Sequence, residues 1–371
     1  PLCSKIDCDH RTEECEAYMS EDACLGNKIW YHNQRLYIIE RTTEKDILVS
    51  YDKTMRDKKE EKTLSINGLS VNKYDNSACL TNGKLYYLVS GDNQIYLCAV
   101  PIDTDEQAYI VKQYAGEYHY YERLSLYPIE DNLYVNWVSG ISADEYRYYT
   151  EQIDVSTDEV VIQCNMNEKY PEIASTIIYT EWCRQSCFDS DGNIYFACVG
   201  DNKYIVRKLN ISTGDIKDIY SQEMQHEKDY RYVSLKNYDG KYLYIYKNVN
   251  GEALAEKSIE EKRKKYDNNI YILDTDGNVK DTVTLNGTDD TAGGNIPGEF
   301  YGGDDRCLLI VFSKYGIKGL ELSEEKTALR TELIEEGRKN KNGGPVISIS
   351  AILDKSQIGS GAITLEQITP E

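Results

Sequence analysis

Apolar and polar positions alternate along most of this chain in short runs broken by turn residues. Phe188 to Tyr220 gives the pattern in full: Phe-Asp-Ser-Asp-Gly-Asn-Ile-Tyr-Phe-Ala-Cys-Val, then Gly-Asp-Asn-Lys, then Tyr-Ile-Val-Arg-Lys-Leu-Asn-Ile, then Ser-Thr-Gly-Asp, then Ile-Lys-Asp-Ile-Tyr. Asp-Gly and Thr-Gly-Asp supply the positive φ angles of tight hairpins, so the stretch predicts a meander of antiparallel strands. One meander cannot hide its own apolar faces, and the chain repeats it. A turn followed by a Leu-Tyr-like pair recurs at Leu36-Tyr37, Leu85-Tyr86, Leu133-Tyr134, Ile194-Tyr195, Leu243-Tyr244 and, in degenerate form, Cys307-Leu308. The spacing is roughly 50 residues, a period at which repeated strand units form propeller blades.

Each pair marks a second strand. First strands are expected near 29–32, 78–81, 123–127, 182–188, 232–237 and 298–301, and third strands near 47–52, 95–100, 148–154, 204–210, 270–274 and 347–354. Fourth strands are expected near 62–66, 108–114, 159–164, 216–220, 279–285 and 362–368. Four strands repeated six times predict an all-β fold, a β-propeller with six visible blades over residues 28–371. The alternative count is seven, with the first blade cut short at the start of the sequence. A β-sandwich would bury the same strands but does not require so regular a period.

The connections divide into two sets. First-to-second and third-to-fourth turns, which share one face of a propeller, are uniformly short. The other face receives the segments 139–146, 165–181, 248–268, 286–297 and 313–345. Long loops on a rigid scaffold are where binding usually resides. Two of these segments, 252–266 and 322–339, read as helices rich in Glu, Lys, Ala and Leu: solvated excursions on one reading, a partner-binding rim on the other.

Composition narrows the partners. The formal charge is −21, from 42 basic and 63 acidic residues. A nucleic-acid binder needs a basic footprint to displace counterions, and an anionic membrane would repel this body, so both are disfavoured. There is no apolar run long enough for a transmembrane helix. The 33 tyrosines against 4 Phe and 3 Trp suit strands whose rings pack while their hydroxyls reach water.

Residues 1–27 differ from the rest: polar, poor in strand formers, and holding Cys3, Cys8, His10, Cys15 and Cys24. Three thiols and an imidazole in the pattern Cys-x4-Cys-x-His-x4-Cys match the Cys3His set that tetrahedral zinc accepts. Cys3, Cys8, His10 and Cys15 are thus candidate ligands of a structural zinc. One or two disulfides drawing on Cys24 are the alternative, and the position of His10 inside the cluster favours the metal. The opening Pro-Leu-Cys-Ser-Lys-x2-Cys-x-His-x4-Cys-x-Ala-Tyr resembles the start of a group of propeller-type lipoproteins of Gram-positive anaerobes, and Leu353 to Gly361 resembles that group's closing blade. The resemblance implies export and a lipid anchor on a cysteine that would lie before Pro1; it implies no reaction.

Cys79, Cys98, Cys164, Cys183, Cys187, Cys198 and Cys307 fall mostly in expected strands, where a cysteine acts as a small buried hydrophobe. Asp189-Ser-Asp-Gly-Asn193 and Asp274-Thr-Asp-Gly-Asn278 resemble calcium loops, but their glycine comes fourth, at a hairpin, so they read as turns. The nucleophile-elbow, zinc-protease and P-loop motifs are absent from the sequence. His32, His119 and His226 stand alone, and acid pairs such as Asp289-Asp290 and Asp304-Asp305 are expected in any chain this acidic. The sequence therefore suggests a non-catalytic, extracytoplasmic binding or scaffold propeller, with a protein or carbohydrate partner on the long-loop face. The alternative is a propeller enzyme acting on glycans or peptides.

Overall fold

A computed structural model describes residues 29–41, 45–52, 57–72, 77–91, 94–115, 123–142, 145–177, 182, 186–223, 231–249, 269–285, 296–303, 306–315 and 346–368. The chain is an all-β, six-bladed β-propeller built of antiparallel sheets. Blade 1 comprises β1 (Trp30–His32), β2 (Arg35–Arg41), β3 (Asp46–Asp52) and β4 (Lys59–Thr63). In blade 2 the first position is shared by β5 (Ser70–Val71) and β6 (Ala78–Thr81), both paired with β7 (Lys84–Gly91), and β8 (Gln94–Pro101) and β9 (Tyr109–Ala115) follow. Blade 3 is β10 (Arg123–Ile129), β11 (Asn132–Ser142), β12 (Glu145–Asp154) and β13 (Val160–Asn165), followed by the one-turn helices α1 (Met166–Lys169) and α2 (Pro171–Ala174).

Blade 4 is β14 (Cys187–Phe188), β15 (Asn193–Gly200), β16 (Lys203–Asn210) and β17 (Ile216–Glu223). Blade 5 is β18 (Arg231–Tyr238), β19 (Leu243–Val249), β20 (Asn269–Leu273) and β21 (Val279–Thr284). Blade 6 is β22 (Ile296–Gly303), β23 (Cys307–Tyr315), β24 (Val346–Asp354) and β25 (Leu365–Ile368), with a single 3-10 turn at Lys355–Gln357. The first three blades form one compact unit and the last three another, with the connection between β13 and β14 divided between them and Ser190–Gly192 of the β14–β15 turn grouped with the first.

Strand periodicity explains the Leu-Tyr landmark. Successive side chains on a strand point to opposite faces, so the two residues of a pair enter two different cores. In the first unit, Leu85 joins Tyr37, Ile39, Leu48, Tyr87 and Val100 between blades 1 and 2. Tyr86 instead joins Leu88, Leu97, Leu133, Val135 and Ile153 between blades 2 and 3. In the second unit, Leu243 packs with Tyr195, Val206 and Ile245 between blades 4 and 5, while Tyr244 packs with Ile270, Ile310 and Leu353 between blades 5 and 6. The first residue of the pair thus faces the preceding blade and the tyrosine faces the next.

A bulge recurs on the outermost strands. The pairing of third and fourth strands shifts register at Leu48/Val49, Leu97/Cys98, Gln152/Ile153, Val206/Arg207 and Ile272/Leu273. Each shift leaves one extra residue on the outer strand: Glu61, Val111, Val161, Ile219 and Lys280. A bulge re-aims the side chains beside it. The residue after the bulge reaches the next blade in both units. Lys62 donates to the backbone oxygens of Thr104 and Glu106, Lys112 pairs with Glu151, Tyr220 packs against the blade 4–5 core, and Asp281 accepts from the loop at Gly359.

Three expectations are corrected. Segment 139–146 is not a loop: β11 and β12 continue through it and Ser142 still pairs with Glu145. The first strand expected over 182–188 shrinks to Cys187–Phe188 because Trp182 is fully buried and its indole donates to the Tyr149 carbonyl at 3.2 Å. The fourth strand of blade 1 starts at Lys59, earlier than the apolar content of 62–66 suggested, because its ladder is formed by polar residues on an outer edge.

Candidate functional site

Side chains that could carry chemistry concentrate where one blade meets the next. Between blades 2 and 3, Glu151 is fully buried on β12. Lys112 Nζ donates to both of its oxygens at 2.8 Å, Gln163 Nε2 donates to Oε1 at 2.8 Å and the Tyr114 hydroxyl donates to Oε2 at 3.0 Å. Trp137 lies beside this network, stacked on Tyr149 with centroids 3.8 Å apart and met edge-on by Tyr114 at 5.6 Å. Burial, with Glu151 adding to it, pushes the Tyr114 hydroxyl well above its ordinary value, so it remains a donor.

At the short-turn ends of the same blades, Asp158 accepts from Lys84 Nζ at 3.1 and 3.0 Å, from the Tyr86 hydroxyl at 2.5 Å and from the Tyr109 hydroxyl at 2.6 Å. His32 Nε2 lies 2.9 Å from Asp103 Oδ2, and Asn33 Nδ2 donates to Oδ1 of the same carboxylate at 2.8 Å. These contacts join blade 1 to the third-to-fourth turn of blade 2.

The second unit repeats the arrangement. Asp239 Oδ2 accepts from the Tyr244 hydroxyl at 2.7 Å and from Lys355 Nζ of blade 6 at 3.0 Å, while its Oδ1 caps the turn through Lys241 N and Tyr242 N. Asp189 holds its hairpin through Asn193 N at 2.9 Å and takes the Tyr195 hydroxyl at 2.7 Å. Asp274 likewise accepts from Asp276 N and Asn278 N, and pairs with Lys280 at 2.7 Å. The two Asp-x-Asp-Gly-Asn loops are therefore hairpin turns, as their glycine position indicates; their first aspartates are filled by N–H donors.

These donors set the protonation of the blade 5–6 junction. Burial would raise Asp239 and Asp281, but hydrogen bonds to Asp239 from Tyr242 N, Tyr244 and Lys355, and to Asp281 from Thr282 N, Gly361 N and Gly359 N, outweigh it and hold both below the ordinary carboxylate value. Asp354 is lowered by the side chain and backbone of Ser356. A lowered carboxylate means that the unfolded chain binds more protons. The stabilisation is complete above the unfolded value of about 4 and is lost as pH falls through the folded values. D281N is therefore expected to lose less stability between neutral pH and pH 3 than the wild type does, measured as urea midpoints. Identical losses would remove Asp281 from this account.

The sequence-derived ligands Cys3, Cys8, His10 and Cys15 lie outside the described residues, as do the expected helices 252–266 and 322–339, Cys183, His119, His226, Asp289-Asp290 and Asp304-Asp305. Cys79, Cys98, Cys164, Cys187, Cys198 and Cys307 are all in strands. Cys98, Cys164 and Cys198 are buried free thiols, and burial pushes Cys98 up to about 12 and Cys198 up to about 11, which makes them poor nucleophiles.

Segment 165–181 is the long connection with the most described detail. Asn165 caps α1, Asn167 Nδ2 donates to the Tyr146 carbonyl at 3.0 Å and Asn167 Oδ1 accepts from Tyr148 N at 2.8 Å. Trp182 fastens the far end, its carbonyl accepting from Asn136 Nδ2 at 3.2 Å and its ring meeting Tyr148 edge-on at 5.9 Å. Asn167 and Trp182 are thus fixed to β11 and β12, the kind of support a recognition loop requires. Periodicity located the insert; only the fold reveals its anchors.

No protein-family model matches the sequence, and no curated protein matches it. Solved structures do. Oligogalacturonate lyase from Vibrio parahaemolyticus is similar over 95% of this chain and 81% of its own, at 9% identity and a TM-score of 0.50. An oligogalacturonate lyase in complex with manganese is 10% identical over 89% of this chain and 73% of its own, with a TM-score of 0.49. A protein from Lactobacillus plantarum is 10% identical over 92% and 84%, with a TM-score of 0.46. At 9% identity the likeness to the Vibrio protein is one of fold alone.

Proposed function

We propose that this chain is a non-catalytic, extracytoplasmic binding or scaffold propeller whose protein or carbohydrate partner docks on the long-loop side. The observation that carries the reading is how its acids are used. Glu151, Asp158, Asp239 and Asp281 are each filled by donors from their own chain. Glycoside hydrolysis instead needs two carboxyl groups facing one bond across an open gap. Among the described connections, 165–181 is held at Asn167 and Trp182 as a recognition loop would be.

Replacing 250–268 and 316–345 by short turns should leave the thermal midpoint within a few degrees of the wild type and abolish binding on a panel of defined glycans and peptides. Turnover of any glycan or peptide in that panel, seen as new reducing ends or new amines, would establish the enzyme reading instead. The reading includes a structural zinc on Cys3, Cys8, His10 and Cys15, which would staple a polar segment too poor in apolar residues to order itself. Metal analysis should find about one zinc per chain, lost in H10A. Oxidised Cys3, Cys8 and Cys15 in native protein would rule the metal out.

A further inference from the structure

Asp281 sits on β21 immediately after the bulged Lys280, and the bulge turns its side chain toward blade 6. It is only 8% exposed. Its Oδ2 accepts from Gly359 N at 2.8 Å and Gly361 N at 3.1 Å, while Oδ1 takes Thr282 N at 2.8 Å. Gly359 and Gly361 have φ of 96° and 73° and flank Ser360, and their two N–H groups point at the same carboxylate oxygen. Such a backbone concavity is an anion receptor.

The loop is held independently of its guest. Ile358 N donates to the Lys355 carbonyl at 3.2 Å, Ser360 N to the Gln357 carbonyl at 3.0 Å and Thr364 N to Gln357 Oε1 at 2.8 Å. The contacts from blade 6 are backbone N–H groups, which recognise a carboxylate oxygen whatever carries it.

We propose that loop 358–361 is a preformed carboxylate-binding site whose resident ligand is the Asp281 side chain, and that a small free carboxylate takes the site when that side chain is shortened. The Leu353–Gly361 stretch, singled out by its resemblance, thereby gains a chemical role: it closes blade 6 on blade 5 by ligand capture. The site is the size of one carboxyl group, so formate fits best and acetate next.

The experiment uses the full chain with Asp281→Ala, following the thermal midpoint as sodium formate replaces sodium chloride at constant ionic strength. Formate must exceed the roughly millimolar effective concentration of a flexibly tethered ligand, so the titration extends well beyond that. The expected result is a lowered midpoint that rises saturably with formate, less with acetate, against a flat response in the wild type. Adding Gly361→Ala, which strains the left-handed residue, should abolish the recovery. D281S serves the same test should the alanine variant not fold, and D281N should not respond, because its amide still fills the site. Identical formate responses in wild type and D281A or D281S, or recovery that persists with Gly361→Ala, would overturn the proposal.

Discussion

Replacing Lys112 by methionine is expected to cost about 3–5 kcal/mol, because it strands a buried charge. Glu151 has no exposed surface, and Lys112, itself 26% exposed, meets both of its oxygens. Methionine keeps most of the length of the stem and removes only the charged end, which lies 5.1 Å from the centre of the Tyr114 ring, so the loss is chiefly electrostatic. The companion K112M/E151Q should recover most of it, since a neutral amide can still accept from Tyr114 without a counter-charge. Urea unfolding of the two variants decides the matter. A single variant within about 1 kcal/mol of wild type, the usual worth of an exposed pair, would show that Glu151 does not depend on Lys112.

The second large effect comes from a glycine. Gly277 turns blade 5 between β20 and β21 with φ of 90°, and a Cβ built there would overlap the Ile219 carbonyl oxygen of blade 4. Gly277→Ala must therefore displace backbone as well as hold alanine in a left-handed conformation, a combined cost of about 3 kcal/mol or more. Gly240→Ala supplies the control: its φ is 92°, but nothing lies within 4 Å of the added carbon. Only the conformational penalty of about 1 kcal/mol applies there. Equal thermal losses in the two variants would mean that blade 4 yields at Ile219.

The contrast between these sites and the repeat itself marks how far the sequence could be read. Alternation and turn chemistry located all six blades, since a strand buried on both sides must carry an apolar residue to each, as Leu85 and Tyr86 do. The abundance of tyrosine was legible as packing plus a polar tip, but the partners of those tips were not. Tyr195 uses an aspartate six positions earlier, whereas Tyr86 uses Asp158 of the following blade. Only the first lies within reach of a local pattern. Lys112 and Glu151 read separately as ordinary strand charges, and their pairing follows from a bulge that no periodicity announces. The anchors of 165–182 were hidden for a related reason: Trp182 looked like the start of a strand, and its burial is decided by a carbonyl on β12.

The bulges also bear on which piece of this chain could be moved or multiplied as a part. A cut in the links between blades would excise four strands together with an outward-pointing Lys62, Lys112 or Asp281, but would leave its hydrogen-bond partner behind on the neighbour. The partners lie late in the following blade: acceptors at 104–106 and Glu151 for the two lysines, and N–H donors at Gly359 and Gly361 for Asp281. The transplantable module is therefore longer than the sequence period. It runs from one outer-strand polar residue through its partner in the next blade, overlapping its neighbours like roof tiles. A duplicated blade lacking that overlap would present an unmatched charge at its seam, so gene-level repetition of this fold must preserve donor and acceptor in adjacent copies even where the rest of the repeat drifts.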